Sequence, residues 1–277
     1  MKINRENLCI VSMPYWHYTM EYGLRSMAAC GFKNIEFWAA SPQYCYSDYT
    51  PEERKARKRE IIETMCDAGL KMPIFSPEQM DMYPLNIASP DMAIQRASME
   101  RILEYLDDAA EFGACAMTLG TGWQYLDMQD ERSRARSIEF VQKIAEKAAP
   151  LKIDLLIAPM RQTSGAFVWN LESLGQYLQA VSMPNVKACI HLLDAIGNTP
   201  WFDQFKGSLG LVHFSDFGGK TLGIGGADIC GALHWLENSG YDGLTSLEIT
   251  FRDCCVDPDR AVFSSAKWLK RNGFLSE

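Results

Sequence analysis

Eight short apolar runs, each followed by a segment of helical spacing, set the limits on how this chain can fold. The runs fall at residues 8–14, 34–39, 72–76, 116–120, 153–160, 186–193, 210–217 and 244–250. They are dominated by Val, Ile, Leu and Phe, the reading expected of strands buried on both faces. Between them lie amphipathic or charged segments at 18–30, 51–68, 89–112, 130–149, 170–180, 228–239 and 257–271, with a shorter element at 201–205. Gly31, Gly69 and Gly113 close three of these segments, and Thr50 with Pro51 opens another as an N-cap followed by proline at the first helical position. Connections of this length bring the next strand back parallel to the last. Eight such units in 277 residues fit a closed (β/α)8 barrel, the TIM barrel, better than an open doubly wound sheet. The expectation is therefore α/β, with one barrel domain over residues 1–277. No Gly-x-Gly-x-x-Gly follows the first run, so a dinucleotide site is not expected, and Gly223-Ile224-Gly225-Gly226 reads as a turn.

Composition narrows the class of ligand. The net charge is −8 with no basic block, which disfavours nucleic acid and anionic membrane as partners. Nine scattered cysteines without a C-x-x-C pair read as reduced intracellular thiols, not as a disulfide framework. The polar start, residues 1–6, lacks the apolar stretch of a signal peptide, and no window approaches eighteen consecutive apolar residues. The expected location is the cytoplasm.

In a barrel of this kind the working residues sit at the C-terminal ends of the strands. Of the four histidines, His191 and His213 end adjacent runs, and His17 follows the first. His234 lies mid-helix and reads as a surface or packing residue. Glu248 ends the eighth run. Any one strand-end histidine is as easily a satisfied polar residue near the core. Three at neighbouring ends point to a site, and imidazole with carboxylate suits Mn, Co, Zn or Fe. The divalent-metal ligands expected are His191, His213 and Glu248. Trp16, His17, Trp38, Tyr44, Tyr46, Glu78, Tyr83 and Trp123 follow strand ends or lie near them. Aromatic rings there suit the C–H faces of a small-molecule carbohydrate, although aromatics also pack under loops. Arg161 serves either an anionic group or a local ion pair. Glu36, inside an apolar run, needs a buried partner.

The pattern L-V-H-F-S-D at 211–216, a glycine-rich loop, and then S-G-Y-D-G-x-x-S-L-E-I-T resembles the sugar isomerase/epimerase family with the xylose isomerase-like barrel. The likeness extends to G-F-K-N-I-E-F-W at 31–38 and P-E-Q-M-D-M-Y-P-L-N at 77–86, and so over nearly the whole chain. The nearest relatives the resemblance suggests are fructoselysine 3-epimerase and D-tagatose/D-psicose 3-epimerase, and the second of these segments points to the fructoselysine-type branch. The resemblance implies a metal held by Glu after strand five, Asp after strand six, His after strand seven and Glu after strand eight, and also a homo-oligomer. His213 and Glu248 match. His191 stands where the aspartate belongs, and Ala158 where the strand-five glutamate belongs, its register fixed by Pro159. A second family glutamate falls at Ser164. Asp194 lies three residues beyond His191, but on the opposite side-chain parity.

Moving a proton between the faces of a ketose carbon takes two bases. The resemblance assigns these to the strand-five and strand-eight glutamates, of which Glu248 alone is present. Two functions follow. The first is an isomerase, epimerase or related lyase acting on a sugar or sugar derivative, with Glu248 or His191 as base. Trp16, His17, Glu78, Tyr83, Trp123 and Arg161 would then bind the substrate. The second is a barrel that has lost the chemistry and serves as a sugar-binding or partner subunit.

Overall fold

The computed structural model describes residues 2–79, 84–128, 130–196, 199–205, 207–250 and 252–275. Its strands are β1 (Leu8–Val11), β2 (Asn34–Ala39), β3 (Lys71–Pro77), β4 (Ala116–Thr118), β5 (Asp154–Ile157), β6 (Val186–His191), β7 (Leu209–Phe214) and β8 (Leu244–Leu247). They form a closed barrel in chain order, and the strand pairings among the described residues are parallel. The helices are α1 (Met20–Ala29), α2 (Pro51–Ala68), α3 (Met92–Glu111), α4 (Glu131–Ala148), α5 (Leu171–Val181), α6 (Leu192–Ile196), α7 (Thr199–Phe205), α8 (Ile229–Asn238) and α9 (Pro258–Arg271). Among the described residues no helix is long and apolar enough to cross a membrane.

Local chemistry places the helix ends. Thr50 and Glu53 make a reciprocal capping box at the start of α2, and Gly69 ends that helix at φ 67°, a left-handed conformation that glycine adopts without a Cβ penalty. The sequence places the start of α3 at Ser89, whereas the helix begins at Met92. Asp91 is the reason: its carboxylate accepts from the Ala93 N–H at 2.7 Å, while the Ser89 hydroxyl accepts from the Asp91 N–H. The single short element expected between β6 and β7 is two helices. α6 starts directly after His191 and buries only Leu192 and Ala195, an i,i+3 pair too brief to show as periodicity.

Two compact units make up the chain. The first comprises Met1–Pro73, His191–Gly197 and Leu211–Glu277. In it β1 lies between β2 and β8, with Val11 opposite Glu36 and Ile10 opposite Leu247, and β7 pairs with β8 with His213 opposite Ser246. Leu8, Cys9, Ile10, Ile35, Phe37, Leu211, Val212 and Leu247 are buried in it. Asp259, in the first turn of α9, accepts hydrogen bonds from the Tyr15 hydroxyl at 3.0 Å, from Ser26 Oγ at 2.5 Å and from the Tyr22 hydroxyl. Burial alone would raise its pKa, but the three hydroxyl donors outweigh burial and hold it below the ordinary carboxylate value. One carboxylate thus ties α9 to α1 and to the turn before it.

The second unit comprises Ile74–Ile190 and Asn198–Gly210. Its strands pair β3–β4–β5–β6, with Ile74 opposite Ala116, Met117 opposite Leu155 and Leu155 opposite Val186. Gln79 joins the ends of β3 and β4: its amide donates to the Thr118 carbonyl at 3.0 Å, and its Oε1 accepts from the Gly120 N–H at 2.9 Å.

Candidate active site

Side chains alternate along a strand, so Glu36 points opposite to Ile35 and Phe37. It is 3% exposed, and a carboxylate so buried requires a donor. His213 supplies one, with Nε2 2.8 Å from Glu36 Oε2. The ionised Glu36 only accepts, so this bond places a ring proton on Nε2. The other ring nitrogen, Nδ1, stands 3.7 Å from Oε1 of Glu248. That separation is beyond a hydrogen bond but within ion-pair range. Glu248 directly follows β8, and its N–H extends the ladder to the Phe214 carbonyl at 2.9 Å. One imidazole therefore stands between two carboxylates delivered by β2 and by the segment after β8.

The two carboxylates differ. The Glu248 side chain is 29% exposed and that of Glu36 is 4% exposed. Burial raises the Glu248 pKa, the nearby His213 opposes the rise, and the Glu36 charge adds to it. The net displacement is upward, the direction that makes a carboxylate a stronger base.

His191 ends β6 in the same unit. Its Nδ1 accepts from the Leu193 N–H at 3.4 Å, which leaves the proton on Nε2, 3.0 Å from Ser215 Oγ. Burial, helped by the charge of His213, pushes its pKa down to about 4. It is neutral at physiological pH. A base held below its unfolded value contributes stability that is present above the ordinary pKa of 6.5 and is lost as pH falls toward about 4. His191→Asn is accordingly expected to flatten the loss of stability between those two pH values, as read by urea titrations at stepped pH. Asp194 is exposed on α6 and does not displace His191 from the strand end.

Asp216, which closes the H-F-S-D pattern, organises a loop. It is 1% exposed and accepts from the N–H groups of Phe217 at 2.8 Å, Gly223 at 2.8 Å and Ala227 at 2.9 Å. Burial works to raise its pKa, but these donors and the Gly225 N–H together bring it below the ordinary value. The glycines are required there: a Cβ on Gly225 would lie 2.5 Å from Asp216 Oδ1.

Trp16, His17 and Trp38 form one aromatic group beside the ends of β1 and β2. His17, exposed, stacks on Trp16 at 4.6 Å, and Trp38 meets Trp16 edge-on at 5.5 Å. The Trp16 indole N–H donates to the Ser41 carbonyl at 2.5 Å, fixing the ring. In the second unit, Glu78 directly follows β3 and is half-buried. Trp123 is half-buried, its N–H bonded to Asn86 Oδ1 at 3.0 Å and its ring edge-on to Tyr125 at 5.2 Å. Arg161 is exposed, and its carbonyl accepts from Ser164 Oγ at 2.5 Å. Tyr83 lies outside the described residues.

Among the described residues no group of three His, Cys, Asp or Glu side chains is arranged to hold a metal ion. The donors explain this. Both His191 nitrogens are engaged by Leu193 and Ser215, and the position after β5 is Ala158, which has no donor atom. As placed, His191 does not complete a ready-made metal set with His213 and Glu248. Three groups were not assigned from the sequence. Ser215 was visible only as a member of the L-V-H-F-S-D pattern. Gln79 and Asn86 were visible only as polar residues in the 77–86 segment, where they join strand ends and loops.

A family model described as Xylose isomerase-like TIM barrel matches residues 24–272. No curated protein sequence matches the chain. Solved structures share the fold at low identity. D-psicose 3-epimerase from Clostridium cellulolyticum H10 is 17% identical at a TM-score of 0.78, with 97% of this chain and 98% of that chain covered. A 3-keto-D-glucoside 4-epimerase from E. coli is 15% identical at a TM-score of 0.75, covering 96% and 99%. An AP endonuclease, family 2, from Brucella melitensis is 19% identical at a TM-score of 0.73, covering 98% and 99%.

Proposed function

Because the chain belongs to the xylose isomerase-like TIM barrel family, we propose that it is a sugar isomerase or epimerase that moves a proton on the carbon beside a carbonyl. The observation behind this reading is the Glu36–His213–Glu248 arrangement, with Nε2 at 2.8 Å and Nδ1 at 3.7 Å from their carboxylates. Glu248 is the base. Its pKa, raised above the ordinary carboxylate value, makes it a stronger base than a solvated glutamate. Glu36 fixes the His213 ring through Nε2, so that Nδ1 faces Glu248 at 3.7 Å.

One base shuttling a proton on one face of an enediol gives isomerisation, whereas inversion of a carbon needs a second group on the other face. His191 with Ser215 is the candidate for that second group in this unit. The Trp16, His17 and Trp38 rings supply apolar faces for a sugar, and a net charge of −8 suits a small neutral ligand better than a nucleic acid.

The test is proton exchange. The protein is incubated in D2O with aldoses, ketoses, 3-keto sugars and glycated amino acids, with and without Mn2+, Co2+ or Zn2+, and the sugar C–H signals are followed by NMR. Deuterium entering beside the carbonyl, and failing to enter with Glu248→Gln, is the expected result. Ala158 favours the second reading, a sugar-binding or partner subunit without turnover, since no carboxylate follows β5. Calorimetric binding of a sugar without any exchange would establish that reading. Neither exchange nor binding would overturn both.

A further inference from the structure

Cys254 and Cys255 are adjacent in sequence and in space. They close the 3-10 turn Arg252–Cys255 between β8 and α9, and their Sγ atoms are 3.9 Å apart. Cys254 is 6% exposed but lines a cavity of about 600 Å3 whose rim includes Ile224 and Val256, 67% and 79% exposed. Cys255 is half-buried. Each sulfur is held against a backbone carbonyl: Cys254 Sγ is 3.8 Å from the Ile249 oxygen, and Cys255 Sγ is 4.0 Å from the Met13 oxygen. The proton-transfer chemistry uses neither thiol.

We propose that Cys254 and Cys255 are a reversible two-electron redox site, closing to a disulfide by exchange with a small-molecule disulfide such as oxidised glutathione. The Cys255 thiolate, the more accessible of the two, attacks one glutathione sulfur, forming a mixed disulfide and expelling the other sulfur as a thiolate. The Cys254 thiolate then attacks Cys255 Sγ, forming the Cys254–Cys255 bond and releasing the second glutathione thiolate. The two cysteines lose two electrons and two protons. The glutathione disulfide gains the electrons, and its two thiolates take up the protons.

Adjacent Cα atoms across a trans peptide are about 3.8 Å apart. That is shorter than the usual span of about 4.4–6.8 Å in structural bridges. Such a bridge is readily reduced again, which suits a switch and not a structural staple. Closing it removes both S–H donors, so the Ile249 and Met13 carbonyls lose them. Ile249 follows Glu248, and Met13 begins the turn that leads to Trp16 and His17.

The experiment uses the whole chain. It is equilibrated with oxidised glutathione, trapped with an alkylating reagent and digested, and the peptide containing both cysteines is weighed. The exposed Cys66 and Cys115 report reagent access in the same digest. The expected result is a peptide lighter by two hydrogens and closed to alkylation, restored by dithiothreitol, while Cys254→Ser leaves glutathione trapped on Cys255. Alkylation of both sulfurs at every oxidant ratio, or glutathione retained on the native peptide without closure, would overturn the proposal.

Discussion

Glu248→Gln is expected to slow proton exchange at the sugar carbon by about 10²- to 10⁴-fold, the range a positioned general base contributes. The amide keeps the size and polarity of the side chain but cannot accept the substrate proton. The fold should tolerate it. Burial and the Glu36 charge both raise the Glu248 pKa, so the ionised carboxylate sits unfavourably, and removing its charge relieves part of that cost. Activity and stability should therefore separate: exchange collapses while the thermal midpoint holds or rises. Parallel NMR exchange and thermal melts would check it. A variant that melted early and lost exchange in proportion would make Glu248 a structural residue instead.

The opposite pattern is expected at His213. Replacing it with alanine takes the imidazole donor away from Glu36, a carboxylate only 3% exposed. The cost should be about 3 kcal/mol, the low end for breaking a buried pair, because the His213 side chain is itself 12% exposed. Urea denaturation reads this directly. Adding Glu36→Gln in the same chain should recover part of the loss, since the carboxylate that suffered it is gone, and a double-mutant cycle gives the coupling. If the two substitutions were simply additive, the 2.8 Å contact would contribute nothing to stability and Glu36 could not be the group that fixes the ring.

The barrel was legible in the chain because eight buried strands leave eight short, mainly apolar runs, and because caps such as Thr50 and Gly69 are local chemistry. The site was legible only in part. His213 and Glu248 could be placed at strand ends by counting, and Glu36 announced itself as a charge in an apolar run. What counting could not give was the partner of each group. Nε2 of His213 meets a residue 177 positions away, and His191 meets Ser215 across 24, distances along the chain that no periodicity encodes. The engagement of both His191 nitrogens, which removes it from a ready-made metal set, depends on the backbone turning into α6 immediately after β6.

The Asp259 attachment also bears on the order in which the chain can mature during synthesis. The donors on Tyr15, Tyr22 and Ser26 leave the ribosome 244, 237 and 233 residues ahead of their acceptor. The first unit ends its opening segment at Pro73 and resumes its long closing segment at Leu211. At usual elongation rates that gap lasts roughly 10–30 s. During it β1 has no β8 beside it, and the edge that β8 will cover is open to solvent and to other chains. The second unit is almost continuous in sequence and has no such wait. Newly made chains should thus hold a folded second unit before β8 reaches β1, and the period of greatest risk of aggregation is set by translation.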